Sequence, residues 1–450
     1  MLKLLRVGLY SLVGLLALGV LGVQLLRATA LDDDDKALLA LARQAPAPAE
    51  GRSGFAALSL SDYDIPADRL EAEMAAEVQA YTSWLAGQGE AARAASRTVA
   101  DGSDAIGSGQ WTTKLASRYP ARKPIGYDSP LCGLSATDCL ARVRGDTGEM
   151  RAFLAGESAR LSVVDQALAA NHLHSPYPPS HQAPFLPFAT LRLSLTQAAM
   201  DAADGRVPQA LSRTCRTLSA ARRFTPGARD LVNKMVFPGL AEGAAALLLD
   251  IRREHPAEPL PDDCRDALRP VQADDYLICE AMRGEFRMGA ALSASQDRAL
   301  AGGWSPQDLF ARHVMVDGEL QDAWMANTFA TPCTDAYRRE VLAGRVPAPP
   351  SPPVSRNQVH CYAAAISCLL AEIALPTYGG YQGRLLDHAA KLRALLAAQS
   401  ALESDADAAK LEAAAASPGY AVIVDPGART ITVPLRFPSA KPDPAYVVRF

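Results

Sequence analysis

The first thirty residues constrain this chain more than any other stretch. Lys3 and Arg6 precede a mostly apolar run from Val7 to Leu26, closed by Arg27, in which only Ser11 and Gln24 are clearly polar. A run of about 20 such residues is what a helix needs to cross the hydrocarbon of a bilayer. The cations ahead of it, with Asp32, Asp33, Asp34 and Asp35 behind, predict an N-terminus on the cytoplasmic side and the bulk of the chain outside. The expected organisation has residues 1–30 as a signal-anchor transmembrane helix and 31–66 as spacer and linker. Residues 67–410 then form an α-helical extracytoplasmic domain, with 411–450 a small β-rich tail packed on it. Ala28-Thr29-Ala30 offers a competing signal-peptidase site, but the apolar run is longer than a usual signal core and Arg27 interrupts the approach.

Beyond the run, roughly 410 residues suffice for one large or two ordinary domains. With 49% hydrophobic and 21% charged residues, the chain has the composition of a globular protein with a core. The net charge of -4, and the lack of a Lys/Arg stripe interleaved with aromatics, argue against a nucleic-acid partner.

Helical periodicity dominates. Leu70, Met74, Val78, Tyr81 and Leu85 mark a helix over Ala67–Ala95, and Thr137–Leu168 reads as another. Phe188–Phe224 reads as two helices joined near Gly205-Arg206, similar to one tetratricopeptide unit of roughly 34 residues but without a second copy. Further helices are expected over Leu231–Arg253, Cys264–Gly289, Pro306–Phe329, Val359–Ile373 and Arg384–Leu402. Tyr420–Val424 and Thr430–Leu435 flank Asp425-Pro426-Gly427 and predict a β-hairpin, with Tyr446–Phe450 available to finish the ladder. The fold class expected is mainly α, an array of antiparallel helices after the N-terminal transmembrane helix, with a small C-terminal β-hairpin.

Eight cysteines in an extracytoplasmic domain predict disulfides. On the order of a hundred pairings are open in principle. Cys132 and Cys139 flank a short loop and form the best local pair. Cys361 and Cys368, read within one helix, would lie about 10 Å apart, beyond disulfide reach. They are expected to pair elsewhere, one of them with Cys333. No Cys-x-x-Cys occurs to suggest zinc.

Local catalytic signatures are missing: no Gly-x-Ser-x-Gly elbow, no His-Glu-x-x-His, no phosphate-binding loop. The glycines of residues 100–109 lack the strand and lysine such a loop requires. No cofactor is implied. His172, His174 and His181 form the one histidine cluster and the candidate metal ligands, with Asp165 as a possible fourth; the prolines around them favour an ordinary solvated loop. Glu285, in Gly284-Glu285-Phe286-Arg287, is the candidate general acid if desolvated, although it lacks a partner carboxylate at fixed spacing. Trp111, Trp304 and Trp324 are expected as core anchors.

Several segments carry a resemblance. Leu231–Met235, Asn327-Thr328-Phe329-Ala330-Thr331, and the series Asn357, Leu369, Ile373, Pro376, Tyr378, Tyr381, Arg384, Asp387 and Leu392 resemble a group of uncharacterised membrane-anchored proteobacterial proteins. The resemblance implies an N-terminal anchor, a long helical extracytoplasmic region and a short β end, and it carries over no functional residues. Within the series, Arg384 and Asp387 are spaced as a favourable helical ion pair. The expected function is that of a membrane-anchored periplasmic protein binding a protein partner as a scaffold or immunity-type factor. The alternative is an envelope-acting lipid or peptidoglycan hydrolase with a cleft between helices.

Overall fold

A computed structural model of the chain describes residues 2–98, 111–126, 128–301, 305–348, 358–374, 379–403, 407–437 and 445–450. The helices in the N-terminal half are α1 (Leu2–Ala28), α2 (Asp33–Arg43), α3 (Phe55–Ser59), α4 (Leu70–Thr98), α5 (Cys139–Gly145), α6 (Thr147–Gly156), α7 (Ser158–Leu168), α8 (Arg192–Ala203) and α9 (Val207–Phe224). They are followed by α10 (Leu231–Glu254), α11 (Cys264–Ala267), α12 (Cys279–Ala301), α13 (Pro306–Phe310), α14 (Gly318–Ala330), α15 (Asp335–Leu342), α16 (Ala365–Ala374), α17 (Gly379–Glu403) and α18 (Ala408–Ala415). Strands β1 (Ile423–Asp425), β2 (Thr430–Pro434) and β3 (Ala445–Arg449) close the chain as an antiparallel sheet in the order β1-β2-β3. The predicted hairpin is therefore a three-stranded sheet, with Ile431 opposite Val448 and Val433 opposite Tyr446.

Helix α10 lies at the centre. Its Ala- and Leu-rich sequence is apolar almost all round, the pattern of a helix enclosed by neighbours, and α9 and α17 pack along it. Gly243 lets a loop press against the helix, because a Cβ there would meet the Leu134 carbonyl oxygen at 2.1 Å. The sheet sits on α17 and α18. Asp387 fastens it, accepting from the Tyr420 hydroxyl at 2.6 Å and from the Arg436 and Phe437 amides at 3.1 and 2.9 Å. That use of Asp387 replaces the expected pairing with Arg384, whose guanidinium lies over the Tyr381 ring. A second group of helices, α2, α12, α14 and α16, packs beside the first. Trp324 is buried in it, while Trp111 joins Tyr81 and Trp84 in an aromatic cluster.

Several expectations are corrected. Residues 31–66 are no mere spacer: α2 packs on α14, and Leu39, Ala42, Phe55, Leu58 and Ile65 are buried in the core. Thr137–Leu168 is three helices, because the chain leaves helical geometry at Asp146 and Glu157. Cys264–Gly289 is broken by the Ala273–Tyr276 turn before α12 begins.

Cys132–Cys139 pairs as expected, whereas Cys333 bonds Cys279 and not Cys361. Cys361 and Cys368 bond each other, with Cα atoms 5.4 Å apart. The premise of one continuous helix fails because residues Val359–Ala364 form a 3₁₀ turn that meets α16 at a corner. Cys215–Cys264 joins α9 to α11. The 100–109 loop, Trp304, Asn357, Pro376 and Tyr378 lie outside the described residues.

Helix α1 covers the apolar run, although the side chains of residues 2–9, 12, 13 and 16 are outside the described ones. Among the described residues no helix is long and apolar enough to cross a membrane.

Candidate functional site

The clearest concavity is a cavity of about 610 Å³ where the C-terminal end of α9, the N-terminal end of α10 and the N-terminal half of α12 meet. The histidine loop forms one side, and the Pro46–Glu50 strap crosses another. Its walls are chiefly apolar: Phe55, Tyr177, Phe188, Phe224, Phe237 and Met288. Phe185 stands at the cavity and is two-thirds exposed.

The Gly284-Glu285-Phe286-Arg287 stretch builds the junction. Gly284 lies so close to the Arg229 carbonyl that a Cβ would meet its oxygen at 1.6 Å. Any side chain there would push α12 off the turn that precedes α10. Phe286 is buried edge-on to Phe329. Glu285 Oε1 accepts the Leu231 amide at 2.9 Å, one of the orphan donors at the start of α10. Burial pushes the Glu285 carboxyl up, that hydrogen bond opposes the shift, and Asp230 adds to it. Glu285 is thus a helix-capping group, and it is not among the residues lining the cavity. Arg287, two residues on, does line it.

The histidines divide. His172 and His174 stack at 4.6 Å between centroids and both line the cavity, whereas His181 is exposed and outside the lining. His174 Nε2 lies 2.8 Å from the Gly227 carbonyl, which makes it the protonated nitrogen and leaves a lone pair on Nδ1. Burial, then Arg229 and His172, lowers His174 to about 4, so it is neutral near pH 7. Burial and Arg229 lower His172 as well. Among the described residues, no group of three or more His, Cys, Asp or Glu side chains is placed to hold a metal ion. Asp165, the possible fourth ligand, instead pairs with Arg213 at 2.6 Å.

Three lining residues carry buried polar atoms with no hydrogen-bond partner: Arg287 Nη1, Asn233 Oδ1 and His174 Nδ1. One is a charged donor and two are acceptors. Arg229 adds a second cation, and its guanidinium donates to the Ala47 carbonyl of the strap. Burial lowers both Arg229 and Arg287, and Glu280 partly offsets this in each. The arrangement can hold an apolar body, receive an anion at Arg287 and accept a proton donor at His174 or Asn233. Of these residues the sequence singled out only His174, as a candidate metal ligand; Arg229 and Asn233 belong to no motif, and Arg287 was visible only as a neighbour of Glu285.

No protein-family profile matches the chain, and neither a curated protein nor a solved structure matches it.

Proposed function

We propose that this is a membrane-anchored protein of the bacterial envelope that works by binding a protein partner, and that the cavity receives an apolar segment of that partner ending in a carboxylate. In this reading residues 7–26 hold the chain in the inner membrane with the bulk in the periplasm. The four disulfide pairs suit an oxidising compartment. The observation that carries the ligand class is the set of unpartnered atoms on residues of a chiefly apolar cavity whose lining also includes Arg223, Arg229, Glu50, Asp230 and Glu280. Buried polar groups are almost always satisfied. The donor and the two acceptors belong to residues lining one void, and together they would complement a group that presents both a carboxylate and an N–H, as a peptide terminus does. A fatty acid supplies the carboxylate and the apolar body but lacks the N–H. Phe185 supplies an exposed aromatic at the rim, a residue type enriched where partners are gripped.

The direct test uses acetylated apolar tetrapeptides with a free or an amidated C-terminus, titrated calorimetrically into the full chain in detergent. The free acid is expected to bind at least tenfold more tightly than the amide. Arg287→Met is expected to erase that difference. Equal affinity for acid and amide, or no heat from either with folded protein, rejects the ligand class.

A further inference from the structure

The exposed large hydrophobic side chains are unevenly distributed. Tyr10, Leu15, Leu18, Val20, Leu21 and Leu25 lie on α1, and Phe310, Val359, Tyr362, Ile366 and Leu369 lie in the segments at its foot. Among the described residues the others of comparable size, Phe185, Val232, Leu292, Ile423 and Val447, are scattered through the sequence. The two sets are physically continuous. The end of α1 packs on the Val359–Ala364 turn and on residues 311–315, which follow Phe310, and α16 packs on both segments.

The foot of α1 is also held firmly. Arg27 Nε donates to the Ala363 carbonyl at 2.8 Å and Nη2 to the Val316 carbonyl at 2.9 Å, with Asp317 Oδ2 3.5 Å from Nη1. Two hydrogen bonds and an ion pair from one guanidinium fix the direction in which α1 leaves the domain, where a bare linker would let it swing.

The corner between the Val359–Ala364 turn and α16 has two faces. Cys361 and Cys368 point inward, buried and bonded to each other. Tyr362, Ile366 and Leu369 point outward, 65%, 39% and 47% exposed. The disulfide clamps the Cys361–Cys368 segment, so the outward side chains are presented on a rigid edge. Tyr362, with an apolar ring and a polar hydroxyl, is the type of side chain that settles at the boundary between headgroups and acyl chains.

We infer that the stapled corner Val359–Leu369, together with Phe310, is a membrane-contact surface that lies against the bilayer around the foot of α1. This rests on the reading of residues 7–26 as an anchor and goes beyond it: the domain is seated on lipid in one orientation and does not swing on a tether. Continuity with α1 selects lipid as the occupant, because a helix entering a bilayer brings whatever adjoins its foot to the same surface.

The test uses the full chain reconstituted in phosphatidylcholine vesicles whose acyl chains carry bromine, which quenches nearby tryptophan. Leu15→Trp, Tyr362→Trp and Phe185→Trp all replace exposed residues, and the unsubstituted protein supplies the background. Leu15→Trp reports on the anchor, Tyr362→Trp on the corner, and Phe185→Trp on a cavity lip remote from both in sequence. The added fluorescence of Leu15→Trp and Tyr362→Trp is expected to fall at least twofold relative to unbrominated vesicles, with Phe185→Trp unchanged. Quenching of Leu15→Trp without Tyr362→Trp overturns the contact surface and leaves the anchor standing; a partner other than lipid then covers the corner. Quenching of neither overturns both. Equal quenching of all three overturns a defined orientation.

Discussion

Two buried polar clusters in this molecule are built on opposite principles. Between α10, α17 and β3, Glu242 accepts from His388 Nδ1 at 2.9 Å and from Lys391 Nζ at 3.3 Å, and Lys391 also lies 5.2 Å from the centre of the Tyr446 ring. Every charge there has a partner, and the cluster ties the central helix to its neighbour and to the sheet. At the cavity, Arg287, Asn233 and His174 each keep a polar atom unpartnered beside a void. A satisfied network inside a packed joint holds the fold. An unsatisfied one around empty space is retained at the expense of stability, a pattern expected of a site that something else completes.

The sharpest way to break this contrast is Glu242→Ala. It strands His388 and Lys391 in a nearly closed joint and should lower stability by about 3 kcal/mol, measured by urea denaturation, with peptide affinity unchanged. A loss below 1 kcal/mol would mean the network is not structural.

Gly284→Ala comes next, because its Cβ collides with the Arg229 backbone. Overpacking of this kind should remove about 2 kcal/mol, and because α12 and the α10 junction both line the cavity, binding should fall with it. A variant of full stability and affinity would contradict the close approach.

His174 offers a pH test. Its folded value of about 4 lies below the ordinary 6.5. In that window the unfolded chain binds a proton that the folded chain refuses. Stability should therefore rise from about pH 4 to about 6.5 and hold above that range. After discounting for partial exposure the contribution is about 1 kcal/mol. Denaturation across that range should show His174→Gln with a shallower slope than the unsubstituted chain, while His172 keeps part of it. An unchanged slope would remove His174 from the account.

The smallest and most discriminating effect is that of Arg287→Met. Replacing a partly buried guanidinium that keeps an unpartnered nitrogen by an apolar chain of similar length should leave stability level or raise it by about 0.5 kcal/mol, while affinity for the free-acid peptide drops. A large destabilisation would place Arg287 with Glu242 as a structural charge.

Much of the fold was legible along the chain because helices are written in local periodicity. Leu70 to Leu85 and the α8–α9 pair with its Gly205 turn were readable as helices, and so was α10. Gly205 takes a φ of +77°, the geometry for which a glycine is suited. The C-terminal strands announced themselves through β-branched residues around a Pro-Gly turn. The local Cys132–Cys139 pair was readable because short loops limit the alternatives. The corner at Cys361–Cys368 was not, since a 3₁₀ turn running into a helix has nearly the same periodicity as a single helix. The cavity was less legible still. Arg287 and Asn233 sit on ordinary helices, and the same residues fully paired would have produced the same sequence pattern.

By itself the sequence determined the mainly helical class, the apolar N-terminal run and the small β end. These depend on the spacing of apolar residues and on turn chemistry within a few positions of each other. Tertiary structure alone decided that residues 31–66 belong to the core, that Cys279 finds Cys333, that Glu285 caps a helix, and that His174, Asn233 and Arg287 line one void. Those outcomes depend on which surfaces meet across scores of residues. There the free energy comes from packing shape and from the satisfaction or stranding of polar atoms, and no local pattern encodes either.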